Sequence, residues 1–198
     1  MSVPQHTANV ALCIGHSRKI SGRPEGGAVS VGKVNEHTYN LDLAKRIQRW
    51  LSDFDIDSFI VSEYEGNGYT AAQKWLAGHL KTKGATVAIE LHFNSADSPT
   101  ATGHEWLFWA SSSKGRLLAK ELDAMMLQMF HDFRQRGIKP IGGDERGGAF
   151  LRLTHCPAVI AEPFFGSNAK DWSEIAVSKK EDLSQAIALG IRHYVAQL

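Results

Sequence analysis

Residues 86–96 read TVAIELHFNSA, and no other stretch constrains the fold as tightly. Val87, Ala88, Ile89 and Leu91 form a short apolar run between Gly84 and a Ser/Asp/Pro cluster. Strand formers bounded by turn formers predict a buried strand of a parallel sheet. Similar runs fall at residues 10–14, 58–61 and 157–161, and 104–109 reads as a further strand near an edge. Between them the period changes. Tyr39, Leu43, Ile47, Trp50, Leu51 and Phe54 recur at three- and four-residue spacing behind an N-cap at Asn35. Ala72, Trp75, Leu76 and Leu80 repeat the pattern up to Gly84, and a long helix from Leu117 through Phe133 is expected to end at 136–137. Residues 182–197 close the chain with another helix, while the Gly-rich segments 21–33 and 141–148 read as loops. Strands alternating with helices predict an α/β fold, one layered domain over residues 1–198 with a mainly parallel central sheet flanked by helices.

Composition acts by exclusion. A formal net charge of +1 gives no field directed at nucleic acid. No run approaches the roughly 18 apolar residues of a membrane span. The two cysteines, Cys13 and Cys156, are too few for a disulfide framework and suit free thiols in a reducing compartment. Residues 1–17 lack a basic n-region, so the expectation is a protein that is cytoplasmic as synthesised.

Chemistry in an open α/β sheet gathers beyond the carboxyl ends of its strands. His92 stands at such an end, and strand alternation puts Glu90, His92 and Asn94 on one face. His16 follows the first strand, Glu162 ends the last, and Glu36 opens a helix whose N-terminus should lie over the same rim. Two imidazoles and a carboxylate are ligands that zinc prefers at an open catalytic site. A remaining carboxylate can then take a proton from water and pass it to a leaving group. Each residue also has a plainer reading. Glu36 alone suits the helix dipole, Glu162 alone could pair with an arginine, and a single histidine is more often a satisfied polar residue than a ligand. His37, His104 and His155 are rival ligands, although His37 is turned about 100° around the helix from Glu36. Glu90 either orients a ligand histidine or pairs with a lysine or arginine. Arg152 either meets a substrate carboxylate or oxyanion or makes a surface salt bridge.

The order Gly15-His16, Gly-rich loop, Asn35-Glu36, LHFNSA and PAVIAEPFFGSN resembles the zinc-dependent N-acetylmuramoyl-L-alanine amidases of the amidase type 3 family. That family includes bacterial cell-wall hydrolases and phage endolysins. The resemblance implies that His16, Glu36 and His92 hold one zinc ion and that Glu162 is the general base and acid. The implied substrate is peptidoglycan or a muropeptide, cut between the lactyl group of N-acetylmuramic acid and L-alanine. Gly103-His104-Glu105 and Arg136-Gly137-Ile138-Lys139 also look like family motifs. The serine often found two residues before the second histidine is Glu90 here, and the family's Thr-Arg after strand two is absent. The expected setting is a compact endolysin released to the wall, with a recycling amidase reading the same. The competing readings are a related zinc carboxypeptidase and a non-catalytic wall-binding relative.

Overall fold

The computed structural model describes residues 8–20, 22–143, 145 and 147–198. Residues 1–7 of the N-terminal stretch, and Ser21, Asp144 and Arg146 of the Gly-rich loops, lie outside the described residues. The elements in chain order are β1 (Asn9–Ile14), β2 (Lys19–Ile20), β3 (Arg23–Pro24), α1 (Glu36–Asp53), β4 (Asp57–Val61), α2 (Tyr69–Thr82) and β5 (Val87–Leu91). They continue with β6 (His104–Trp109), α3 (Ser113–Met129), β7 (Gln135–Ile141), α4 (Gly148–Leu153), β8 (Ala158–Glu162), a π-helix (Asp171–Ser178) and α5 (Lys180–Val195).

Six strands form one sheet in the order β4-β1-β5-β8-β6-β7. Every pairing is parallel except that of β6 with β8, so the sheet is mainly parallel, as the alternating pattern predicts. Each strand alternates between two cores. Val10, Leu12, Ile14, Val87, Ile89 and Leu91 face α1, α3 and α5, while Ala11, Cys13, Ala88 and Ile160 face α2 and α4. All five residues of β5 are buried, which is why its sequence is almost continuously apolar. Burying one such Leu or Ile contributes about 1.5–3 kcal/mol. On α1, Tyr39, Leu43, Ile47 and Leu51 make the buried stripe, and Asn35 Oδ1 caps the helix by accepting from Thr38 N–H at 2.8 Å.

One expectation needs correction. The long helix does not reach 136–137: α3 ends at Met129, where Phe130 leaves helical geometry, and β7 begins at Gln135. β7 therefore covers β6 and is itself the edge. No residue of β7 is buried, and its Gly137 and Pro140 suit an edge strand that lacks the apolar signature of the others. The short helix α4 and the π-helix occupy stretches with no predicted element.

Candidate metal centre

β1 and β5 are neighbours ending at the same rim, and the turns beyond them bring His16 and His92 together. Their ring centroids are 5.2 Å apart at an interplanar angle of 79°. His16 has φ of 58°, a left-handed conformation that histidine enters more readily than branched residues do. Helix α1 delivers the third group. Glu36, its first residue, is only 3% exposed, so it is a buried acid and not a solvated helix-end charge. Glu36 Oε1 lies 2.8 Å from His92 Nδ1 and accepts Phe93 N–H at 3.2 Å. Its Oε2 lies 3.3 Å from His16 Nε2 and accepts Ala28 N–H at 3.2 Å. A single carboxylate thus spans both imidazoles.

Two glycines make this convergence possible. A Cβ on Gly15 would lie 2.2 Å from Cε1 of His92. A Cβ on Gly27 would lie 2.6 Å from Cδ2 of His16 and 2.8 Å from Glu36 Oε2. Only a residue without a side chain lets the backbone approach so closely. The Gly-rich loop is therefore the wall of the cluster, and its Ala28 carbonyl accepts Glu36 N–H at 2.9 Å.

Glu90 is 4% exposed, with Oε2 at 3.4 Å from His92 Nε2 and Oε1 accepting the Tyr64 hydroxyl at 3.3 Å. Among the described residues no lysine or arginine pairs with it, so the ion-pair alternative for Glu90 is not realised. Glu162 is the last residue of β8; the carbonyl of Ala161 before it accepts His92 N–H at 3.0 Å, setting Glu162 beside that histidine. Across the antiparallel pairing, Glu162 faces Glu105 on β6. Asn94 Nδ2 donates to Glu105 Oε1 at 2.7 Å, and Arg136 Nε donates to Oε2 at 2.7 Å, with Lys139 Nζ on the same oxygen. Arg152 is exposed on α4, and no described contact joins it to the cluster. The rival histidines are engaged elsewhere: His37 Nε2 with Ser62 O at 2.9 Å, His104 Nε2 with Asp123 Oδ1 at 3.2 Å, and His155 Nε2 with Ala85 O at 3.0 Å. Tyr64 escaped sequence reasoning. The only signal was an aromatic residue inside a polar, Gly-rich loop.

The electrostatics follow from the geometry. Burial raises Glu36, but hydrogen bonding and charge from His92, with His16 adding to them, outweigh it and hold its carboxyl below the usual range. Burial lowers His92, yet the carboxylates of Glu36 and Glu90, with Glu162 contributing, raise it well above an ordinary imidazole. Burial lowers His16 by more than Glu36 raises it.

One ligating atom from each of His16, Glu36 and His92 lies within 4.8 Å of the others, a spacing a single ion can bridge after small shifts. The donor set fits zinc, and the glycine walls leave the three groups a common focus. Sheet and cluster together define the class: an α/β protein with a His–Glu–His cluster at the carboxyl rim of its sheet, whose donor atoms could share one metal ion. The chain belongs to the N-acetylmuramoyl-L-alanine amidase family, whose model matches residues 10–193.

Solved structures share the fold. The amidase AmiC2 of Nostoc punctiforme is 21% identical with a TM-score of 0.78, over 96% of this chain and 98% of that one. The catalytic domain of the amidase CwlV from Bacillus (Paenibacillus) polymyxa var. colistinus is 23% identical with a TM-score of 0.77, over 96% and 98%. The catalytic domain of the CD27L endolysin, which targets Clostridia difficile, is 24% identical with a TM-score of 0.76, over 94% and 97%. A sequence comparison with curated proteins finds no match. Among the described residues no helix is long and apolar enough to cross a membrane.

Proposed function

We propose that this chain is a zinc-dependent amidase that hydrolyses the bond between the lactyl carbonyl of N-acetylmuramic acid and the nitrogen of L-alanine. Its substrate is peptidoglycan or a muropeptide, and residues 1–198 act as one catalytic unit. The observation that carries the reading is the meeting of His16, Glu36 and His92 within 4.8 Å, in a member of this family. These three would hold the ion. Zinc, when bound, supplies Lewis acidity toward a carbonyl and makes hydroxide accessible near neutral pH. Glu162 would take a proton from water as its oxygen adds to the lactyl carbonyl carbon. The same carboxyl would then return the proton to the alanine nitrogen as the C–N bond breaks. The products are a lactyl carboxylate and a peptide with a free amino-terminal alanine. Glu36 is held ionised by both imidazoles, which suits it to ligation, while Glu162, at the end of β8 beside His92, is the carboxyl assigned to proton transfer.

Digestion of purified peptidoglycan, with and without chelator, tests this by mass analysis of the fragments. The expected outcome is metal-dependent release of new amino-terminal alanine. Release of carboxyl-terminal amino acids would instead identify a carboxypeptidase, and no cleavage by the zinc-loaded chain would identify a non-catalytic relative. Glu162→Gln should keep its zinc and lose about 10²–10⁴-fold in turnover. Undiminished turnover in that variant would remove Glu162 from the mechanism.

A further inference from the structure

We propose that Glu90 is a positioning residue that holds His92 through Nε2 and so presents Nδ1 as the ligating nitrogen, with Tyr64 fixing Glu90 in turn. This rests on the metal-dependent reading above and adds to it the atom by which His92 binds and the groups that set its orientation.

Glu90 precedes His92 by two residues along β5, so both side chains project to the same side of the sheet. Its neighbours there are apolar or weakly polar: Cys13 occupies the paired position on β1, and Ile160 the paired position on β8. A carboxylate that is 4% exposed in such surroundings needs a donor, because an uncompensated buried charge is strongly destabilising. The donors within reach are the Tyr64 hydroxyl on one oxygen and His92 Nε2 on the other. Histidine has only two ring nitrogens. With a metal ion in place of the ring proton that faces Glu36, an Nε2–H kept by Glu90 leaves the lone pair of the neutral ring on Nδ1. Nδ1 is the nitrogen turned to Glu36, 2.8 Å from Oε1, and thus toward the focus shared with His16. Ligand histidines commonly donate their second nitrogen to a carboxylate, which fixes the tautomer and the ring plane.

Tyr64 can serve as the outer support because it is rigidly held. It is 1% exposed, its N–H donates to Ser17 O at 2.8 Å, and its carbonyl accepts Lys19 N–H at 3.3 Å. Both contacts lie just beyond His16. The loop that orients one histidine is therefore stitched to the turn that carries the other, and the two imidazoles are set from a common frame.

The test uses the full chain and zinc alone. Zinc affinity is measured by competition with a chromophoric chelator for wild type, Glu90→Leu, Glu90→Gln and Tyr64→Phe, with circular dichroism to establish folding. Leucine fills the site without accepting a hydrogen bond. Glu90→Leu should weaken zinc binding about 10–100-fold. Glu90→Gln, whose amide oxygen still accepts from Nε2, should recover most of the loss, and Tyr64→Phe should lie between wild type and Glu90→Leu. Ring ¹⁵N resonances of the zinc-loaded wild type supply a second readout that needs no variant: Nε2 should be protonated and Nδ1 ligated. A folded Glu90→Leu protein with wild-type affinity would overturn the proposal, as would a spectrum with zinc on Nε2, and in either case the amidase reading would stand. A wild-type chain that takes up no zinc would overturn both.

Discussion

Gly15→Ala isolates the close approach on which the cluster depends. The φ of Gly15 lies outside the left-handed region, so alanine is not excluded by backbone strain. What alanine meets is His92: the added carbon would lie 2.2 Å from Cε1 and 2.5 Å from each ring nitrogen, whereas ordinary contact begins at 3.4 Å. The ring must retreat by about 1 Å to restore that contact, while metal–ligand distances tolerate only about 0.2 Å. Misplacement of a reacting group by about 1 Å is associated with losses near 10²-fold. Gly15→Ala should therefore weaken zinc binding by roughly 100-fold, equivalent to about 2.7 kcal/mol, and reduce amide hydrolysis in parallel at limiting zinc. The fold itself should survive, since alanine at a compatible φ restricts the unfolded chain and adds about 0.4–1 kcal/mol. Chelator competition reads the first quantity, and a thermal melt in excess chelator reads the second. If the variant keeps zinc within about twofold of wild type, the contact between Gly15 and His92 does not set the ligand position and the reasoning fails.

Gly190 lies inside α5, where a Cβ would come within 2.8 Å of Leu122 Cα and 3.1 Å of Glu121 O on α3. Gly190→Ala should therefore destabilise by about 1–3 kcal/mol in urea melts despite alanine's better helix propensity, and a gain in stability would contradict that packing. Burial raises Glu105, but Lys139 and Arg136 outweigh it and hold its carboxyl below the usual range. A depressed carboxyl contributes stability above its unfolded value of 4.5 that is lost as pH falls through the folded one. Arg136→Met should thus be less stable than wild type near neutral pH, with the difference shrinking once both states bind the proton; a gap that persists under acid would refute this. Zinc at about 100 times its Kd should stabilise the fold by about 2.7 kcal/mol, a rise in Tm of about 5–10 °C for a chain of this length, measurable by calorimetry. His16→Ala should abolish that rise.

The sequence was most legible where burial imposes a pattern. β5 and β8 have both faces covered and read as apolar runs; α1 has one buried stripe and reads as a four-residue period. β7 hid because an edge strand needs no apolar face, and the aromatic residues at 130 and 133 extended the period of α3 past its true end. His16, Glu36 and His92 were visible because strand ends and a helix start are local features, and topology carries those ends to one rim. The partner of Glu90 was not visible. Whether a buried acid meets an imidazole, a phenol or an arginine depends on which loop packs over it, and Tyr64 arrives from a segment whose own sequence shows only turn formers. Gly15 likewise gave no sign that an imidazole rests on it.

The reversed direction of β6 has a consequence for evolvability. A parallel sheet obliges each connection to travel back across the molecule, but the path from β5 to β6 stays at one end because β6 runs against β8. Residues 93–103 are moored to the stretch after β8: Ser167 Oγ accepts Ala96 N–H at 3.1 Å, Asn168 Nδ2 donates to Pro99 O at 2.9 Å, and Asp171 accepts Gly103 N–H at 3.2 Å. Between these moorings the strap can lengthen or shorten without moving a helix or changing a strand register. The strap that follows His92 is thus free to be recut while the His–Glu–His cluster at its base keeps its geometry.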